Sequence, residues 1–281
     1  MACSNSGDAE PAPETSDEAL SAACTPATPS TKPEQLINYC QALPGVNASG
    51  ILECIKGGAP SATPAVLINY CQSLPGVSIS GVLTCIANGA ASAKPDELIN
   101  YCKSLPGVNA NGVLDCIKNA APSKRVPTLI NYCKDLPGAN ANGVLTCIAN
   151  GAPSAKPDEL INHCKGLPGV NVDGVLDCIK AAASSMRVPT LIHYCKSLPG
   201  VTADGVLTCI ANGAPSAKPD ELINYCKGLP GANANGVLDC IKSVAASPTP
   251  AVIVNYCKAI PGFSVEAQLA CMAAATNTPR P

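Results

Sequence analysis

The stretch from Lys94 to Lys124, KPDELINYCKSLPGVNANGVLDCIKNAAPSK, decides the fold, because near-copies of it fill most of the chain. It reads as two short helices. Pro95 stands where proline suits a first helical turn, and Asp96 and Glu97 complement the positive end of that helix. Leu98, Tyr101, Cys102 and Leu105 then fall at i, i+3, i+4 and i+7, one apolar stripe. Asp96, Glu97, Asn100, Lys103 and Ser104 occupy the opposite arc, with Asn100 near its middle. Pro106-Gly107 ends the helix, the glycine being a turn residue that tolerates positive φ. Asn109 is the expected N-cap of the second helix, whose stripe is Val113, Cys116, Ile117 and Ala120, widened by Leu114. Asn111, Asp115, Lys118 and Asn119 face away.

Working outward, this 31-residue unit recurs eight times over residues 32–279. The N-cap position is held by Asn47, Ser78, Asn109, Asn140, Asn171, Thr202, Asn233 and Ser264, all able to accept from a first-turn N–H. Ala-Pro-Ser-rich segments such as Gly151-Ala152-Pro153-Ser154 return the chain to the next unit. Two short amphipathic helices cannot bury their stripes alone, so the units must stack. The expectation is an all-α protein, an α-solenoid of eight 31-residue helix-pair repeats, each stapled by a disulfide. Residues 1–31 form a Pro/Ser/acid-rich leader with one short helix expected near Ser16 to Cys24, and with Cys3 and Cys24 it is a candidate N-terminal cap. The last repeat has Phe263 after its Pro-Gly turn and Ala267 where the others have glycine, as a C-terminal cap would; residues 280–281 are a tail.

The chain has 18 cysteines in 281 residues. After Cys3 and Cys24 they come in pairs 14 apart, with 17 between pairs. An even number at fixed spacing reads as a disulfide framework and an oxidising compartment. Pairing within repeats gives Cys40–Cys54, Cys71–Cys85, Cys102–Cys116, Cys133–Cys147, Cys164–Cys178, Cys195–Cys209, Cys226–Cys240 and Cys257–Cys271, with Cys3–Cys24 as a ninth bond. The rival scheme joins successive repeats, Cys54 to Cys71 and so on. It also takes up Cys24 with Cys40, but strands Cys3 and Cys271 at opposite ends, so pairing within repeats is preferred. The spacings supply no C-x2-C pair of the kind structural zinc uses, and no metal or cofactor is expected. Met1-Ala2-Cys3-Ser4-Asn5 lacks a basic segment and an apolar segment, so either the numbering starts at a mature or recombinant chain with its secretory signal removed, or the protein is cytosolic; the cysteine pattern favours removal. In organisation, though not in cysteine spacing, the pattern resembles the disulfide-stapled helix-pair solenoids of bacterial cysteine-rich secreted proteins.

Repeats alternate with a period of 62. Odd ones carry Glu53/Lys56, Asp115/Lys118, Asp177/Lys180 and Asp239/Lys242 on the second helix; even ones carry Thr84/Ala87, Thr146/Ala149, Thr208/Ala211 and Ala270/Ala273. Inheritance from a duplicated two-repeat block explains this, and so does a banded surface suited to lateral packing. On the first helix Asn38, Asn69, Asn100, Asn131, Asn162, His193, Asn224 and Asn255 form a surface ladder, flanked by Lys103, Lys134, Lys165, Lys196, Lys227 and Lys258. Gln41 and Gln72 replace the lysine in the first two repeats. Asn47-Ala48-Ser49 is an N-glycosylation sequon that coincides with an N-cap.

Composition narrows the function. Charged residues make up 14%, against the usual ~25%, and the net charge of −2 argues against nucleic acid. No apolar run approaches the ~20 residues of a membrane span. His163 and His193 replace a Tyr-type and an Asn-type residue in neighbouring repeats, and the carboxylates recur in copies, so no acid/base pair stands out. Glycines never fall in a GxGxxG or GxxxxGK pattern. The reading is a secreted, non-enzymatic structural protein that assembles with other copies, head-to-tail or laterally, into a filament, coat or matrix. The alternative is a monomeric extracellular module presenting its Asn/Lys ladder to a glycan, peptide or mineral surface.

Overall fold

The computed structural model describes residues 32–262 and 264–276. The chain divides into two units, residues 1–31 and 32–281, and every described residue belongs to the second. The leader with its expected short helix and the Cys3–Cys24 bond, Phe263, and the tail lie outside the described residues.

Among the described residues there are sixteen helices and no strand, two helices to each repeat. The first helices of the repeats are α1 (Lys32–Gln41), α3 (Pro64–Gln72), α5 (Pro95–Lys103), α7 (Val126–Lys134), α9 (Pro157–Lys165), α11 (Val188–Lys196), α13 (Pro219–Lys227) and α15 (Pro250–Lys258). The second are α2 (Ala48–Gly58), α4 (Ile79–Gly89), α6 (Ala110–Ala120), α8 (Ala141–Gly151), α10 (Val172–Ala182), α12 (Ala203–Gly213), α14 (Ala234–Val244) and α16 (Val265–Thr276). Each helix packs on its hairpin partner and on the equivalent helices of the repeats before and after it. The result is two parallel layers, odd helices on one side and even helices on the other.

Local chemistry sets the boundaries. All eight N-cap residues, Asn47 through Ser264, accept from the backbone N–H three residues on, at 2.9–3.3 Å. Each satisfies one donor that the helix start leaves without a partner. The Pro-Gly turn works as expected: Gly107 has φ +70°, and its seven equivalents lie between +68° and +81°. The connectors hold a feature the sequence reading passed over. The Oγ atoms of Ser61, Ser92, Ser123, Ser154, Ser185, Ser216 and Ser247 accept from the backbone N–H two residues on, at 3.1–3.3 Å. The same serines donate their own N–H to the end of the preceding helix, so each connector is a closed turn.

The core is one continuous seam. In repeat 3 it contains Leu98, Ile99, Cys102, Leu105, Val113, Cys116, Ile117 and Ala120. Ile99 was outside the stripe read from the sequence and is fully buried, whereas Tyr101 is half-buried at its edge. A solenoid helix is flanked by neighbours in its own layer, so its buried arc is wider than the stripe facing its hairpin partner. The alternation also reaches the core. A β-carbon added at Gly89, Gly151 or Gly213 would lie 2.7–2.8 Å from Cδ1 of Leu67, Leu129 or Leu191. Repeats 3, 5 and 7 place Ala120, Ala182 and Val244 at that position, while repeat 1 has Gly58 as repeats 2, 4 and 6 have glycine, so neighbouring repeats from 2 to 7 fill the same space differently.

Among the described residues eight disulfides, one to a repeat, join the two helices of each hairpin, with Cα atoms 5.6–5.8 Å apart. Closing a 15-residue loop is worth about 3 kcal/mol in the chain-entropy model. Replacing Cys102 and Cys116 together by Ala is expected to speed amide exchange in α5 and α6 by roughly a hundredfold, the factor matching about 3 kcal/mol. Amides of α11 to α14 should keep their rates, since each repeat contacts only its neighbours. Hydrogen exchange resolved by peptide distinguishes this from a uniform loss of protection.

Candidate functional site

The first-helix layer carries the ladder. Asn38, Asn69, Asn100, Asn131, Asn162, His193, Asn224 and Asn255 are all exposed, one per repeat. Lys103, Lys134, Lys165, Lys196, Lys227 and Lys258 are exposed beside them. Four of these lysines also join repeats. Nζ of Lys103, Lys165, Lys196 and Lys227 donates to the backbone carbonyl of Ser73, Asp135, Gly166 and Ser197, at 3.1–3.4 Å. Each acceptor is the C-cap of the preceding repeat's first helix. That carbonyl lacks an intrahelical donor and sits at the negative end of the helix, so a lysine there is favourable. Within the row, the asparagines are therefore the more available recognition groups.

His163 and His193 are exposed, and the rings of His193 and Tyr194 meet edge to face with centroids 5.6 Å apart. Tyr39, Tyr70, Tyr101, Tyr132 and Tyr194 pack against the core. Among the described residues no group of three or more His, Cys, Asp or Glu side chains converges to hold a metal. Among the same residues, no helix is long and apolar enough to cross a membrane.

The second-helix layer shows the bands. Glu53, Lys56, Asp115, Lys118, Asp177, Lys180, Asp239 and Lys242 are exposed, as are Thr84, Ala87, Thr146, Ala149, Thr208 and Ala211 between them. Thr84 and Thr208 donate to carbonyls of their own helices at 2.9 Å, which satisfies their hydroxyls locally. Shallow grooves run between successive repeats; one of about 540 Å³ between α14 and α16 is lined by Asp239, Lys242, Ser243, Leu269, Ala270, Ala273 and Thr276. Asn150, at a position assigned to the outer face, instead donates to the carbonyl of Leu176 in the next repeat at 3.2 Å.

Ion pairs follow the same alternation and were not anticipated. Arg125 reaches Asp158 at 3.2 Å and Arg187 reaches Asp220 at 3.6 Å, each linking an even repeat to the odd one after it. In odd repeats Lys94, Lys156 and Lys218 pair with Glu97, Glu159 and Glu221 of their own first turn, at 2.8–2.9 Å. The hydrogen bond from Lys94 to Glu97, and then the Glu97 charge, raise the Lys94 pKa above its ordinary value. Glu266 is lowered by its own backbone N–H and by Ser264. The sequence signal for the inter-repeat pairs was Arg125 and Arg187, which sit 33 residues before an aspartate, one repeat plus two.

Compared with protein-family models, with curated proteins and with solved structures, the chain matches none. Fold and surface together define a disulfide-rich helical repeat protein, consistent with an extracellular structural role. The Arg–Asp pairs are half exposed, so replacing both arginines by glutamine is expected to cost less than about 1 kcal/mol per pair. Thermal unfolding in low salt should show that loss, and the same comparison in 1 M salt, where the Debye length is about 3 Å, should show almost none.

Proposed function

We propose that this chain is a secreted structural protein whose copies assemble into a filament, coat or extracellular matrix. The observation that carries this reading is the stapling of every described repeat by its own buried disulfide. A scaffold outside the cell must keep its spacing through local fluctuation, and a bond in each repeat confines any opening to a short segment. The exposed groups support the reading in a second way. They recur as rows and bands, a geometry for many weak equivalent contacts rather than for one substrate. The chain is not an enzyme in this reading, and it needs no cofactor.

The asparagine row supports a second reading, a monomeric module that presents regularly spaced amides to a repetitive glycan, peptide or mineral surface. Asn47 adds a modification site compatible with either. It is exposed, and its Oδ1 accepts from Gly50 N–H at 2.9 Å, so a sugar on Nδ2 would leave the cap bond in place.

Electron microscopy of the native protein tests the choice. Ordered filaments or lattices are the expected result; isolated particles that bind a polymeric glycan saturably would favour the module. Intact mass after alkylation, with and without reduction, tests the compartment. No alkylation of the sixteen paired cysteines before reduction is expected, and free thiols at these positions would remove the argument for secretion.

A further inference from the structure

The two ends of the repeat array expose the halves of a contact that the chain already makes seven times. At the head, Ile37 is 39% exposed, whereas the same position is 0–1% exposed in every later repeat. Leu52 is 58% exposed, while its equivalents are buried, as Leu176 and Leu238 at 8%, or half-buried, as Leu83, Leu114, Leu145, Leu207 and Leu269. Both side chains are covered more fully wherever a repeat precedes them. At the tail, Tyr256 is 75% exposed, against 36% for Tyr225 in the repeat before it, and Tyr70, Tyr101 and Tyr194 pack on the core. Ile253 is half-buried there, and its equivalents Leu67 and Leu98 are fully buried.

We propose that the tail face of repeat 8 docks onto the head face of repeat 1 in a second copy, so that the solenoid continues from chain to chain. The inference rests on the assembly reading above and names its interface. Three observations favour a second copy as the occupant. Parity is kept, because repeat 8 is even and repeat 1 is odd, the order found inside the chain. Repeat 8 also opens as repeat 2 does, Thr249-Pro250-Ala251-Val252 against Thr63-Pro64-Ala65-Val66, and repeat 2 docks an odd repeat. Finally, a second copy covers both faces with one contact.

Ala267 does not obstruct the joint. A β-carbon added at the equivalent Gly50, Gly81, Gly112 or Gly174 would stand 3.3–3.6 Å from the leucine of the following repeat, so that leucine need give by a few tenths of an ångström at most. The contact is heterologous and does not close on itself, so it propagates as a filament.

The test uses full-length chains carrying Leu52→Glu or Tyr256→Glu, both at exposed positions, with circular dichroism to verify the helices. Sedimentation of the wild type should show a mass that rises with concentration. Each variant alone should stay a monomer, since one face is blocked. Their 1:1 mixture should give dimers and nothing larger, because one intact head and one intact tail remain. Assemblies that persist in both variants would overturn the proposal in favour of lateral packing while leaving the structural reading intact. A wild-type monomer at all concentrations would overturn both. A monomer whose Ile37 and Leu52 resist hydroxyl-radical labelling would overturn the docking in favour of residues 1–31 as the cover.

Discussion

The disulfide buried between the two helices of each repeat is the constraint on which everything else rests. Helices of nine to twelve residues are marginal in water, and two of them offer each other one narrow stripe. Joining Cys102 to Cys116 across that stripe fixes the hairpin at the cost of no side-chain volume, because cysteine itself packs as a small apolar residue. Leu98, Ile99 and Ile117 can then be shared with neighbouring repeats instead of being spent on holding the pair together. The low aromatic content follows. With the geometry fixed covalently, aliphatic side chains of nearly constant size suffice, and burying each contributes roughly 1.5–3 kcal/mol.

Between repeats the cohesion has a different character. The apolar seam is continuous, and polar groups add position to it. Lysines cap the carbonyl ends of preceding helices, two arginines cross to the next repeat, and a serine closes each connector. None of these is strong alone, since most lie at the surface. Together they fix the register in which one repeat meets the next.

Much of this was legible in the sequence, and the reasons are local. Helix pairs, N-caps and Pro-Gly turns depend on residues a few positions apart, so a single repeat reveals them, while the choice of cysteine partners rested on the two ends of the whole series. The surface position of the Asn ladder followed from helical periodicity alone. What was missed depends on the neighbouring repeat. Ile99 lies outside the i, i+3, i+4, i+7 stripe, and its position is buried only where a repeat precedes it, the equivalent Ile37 of repeat 1 being exposed. The Lys column meets carbonyls of helices thirty residues earlier, a contact that no single repeat displays. Arg125 and Asp158 meet only once the layers are stacked. The role of Ser123 and its equivalents was hidden in a segment that composition marks only as a linker, although the serine recurs at every connector.

The alternation of the inter-repeat ion pairs has a consequence for how such a chain changes its length. The arginine pairs link an even repeat only to the odd one after it. Losing repeat 5 alone would set Arg125 against Pro189 in place of Asp158. Losing repeats 5 and 6 together would bring Asp220 to that place and restore the pair. With respect to these charges length is thus quantised, and recombination between copies keeps each such arginine opposite an aspartate only in steps of 62 residues.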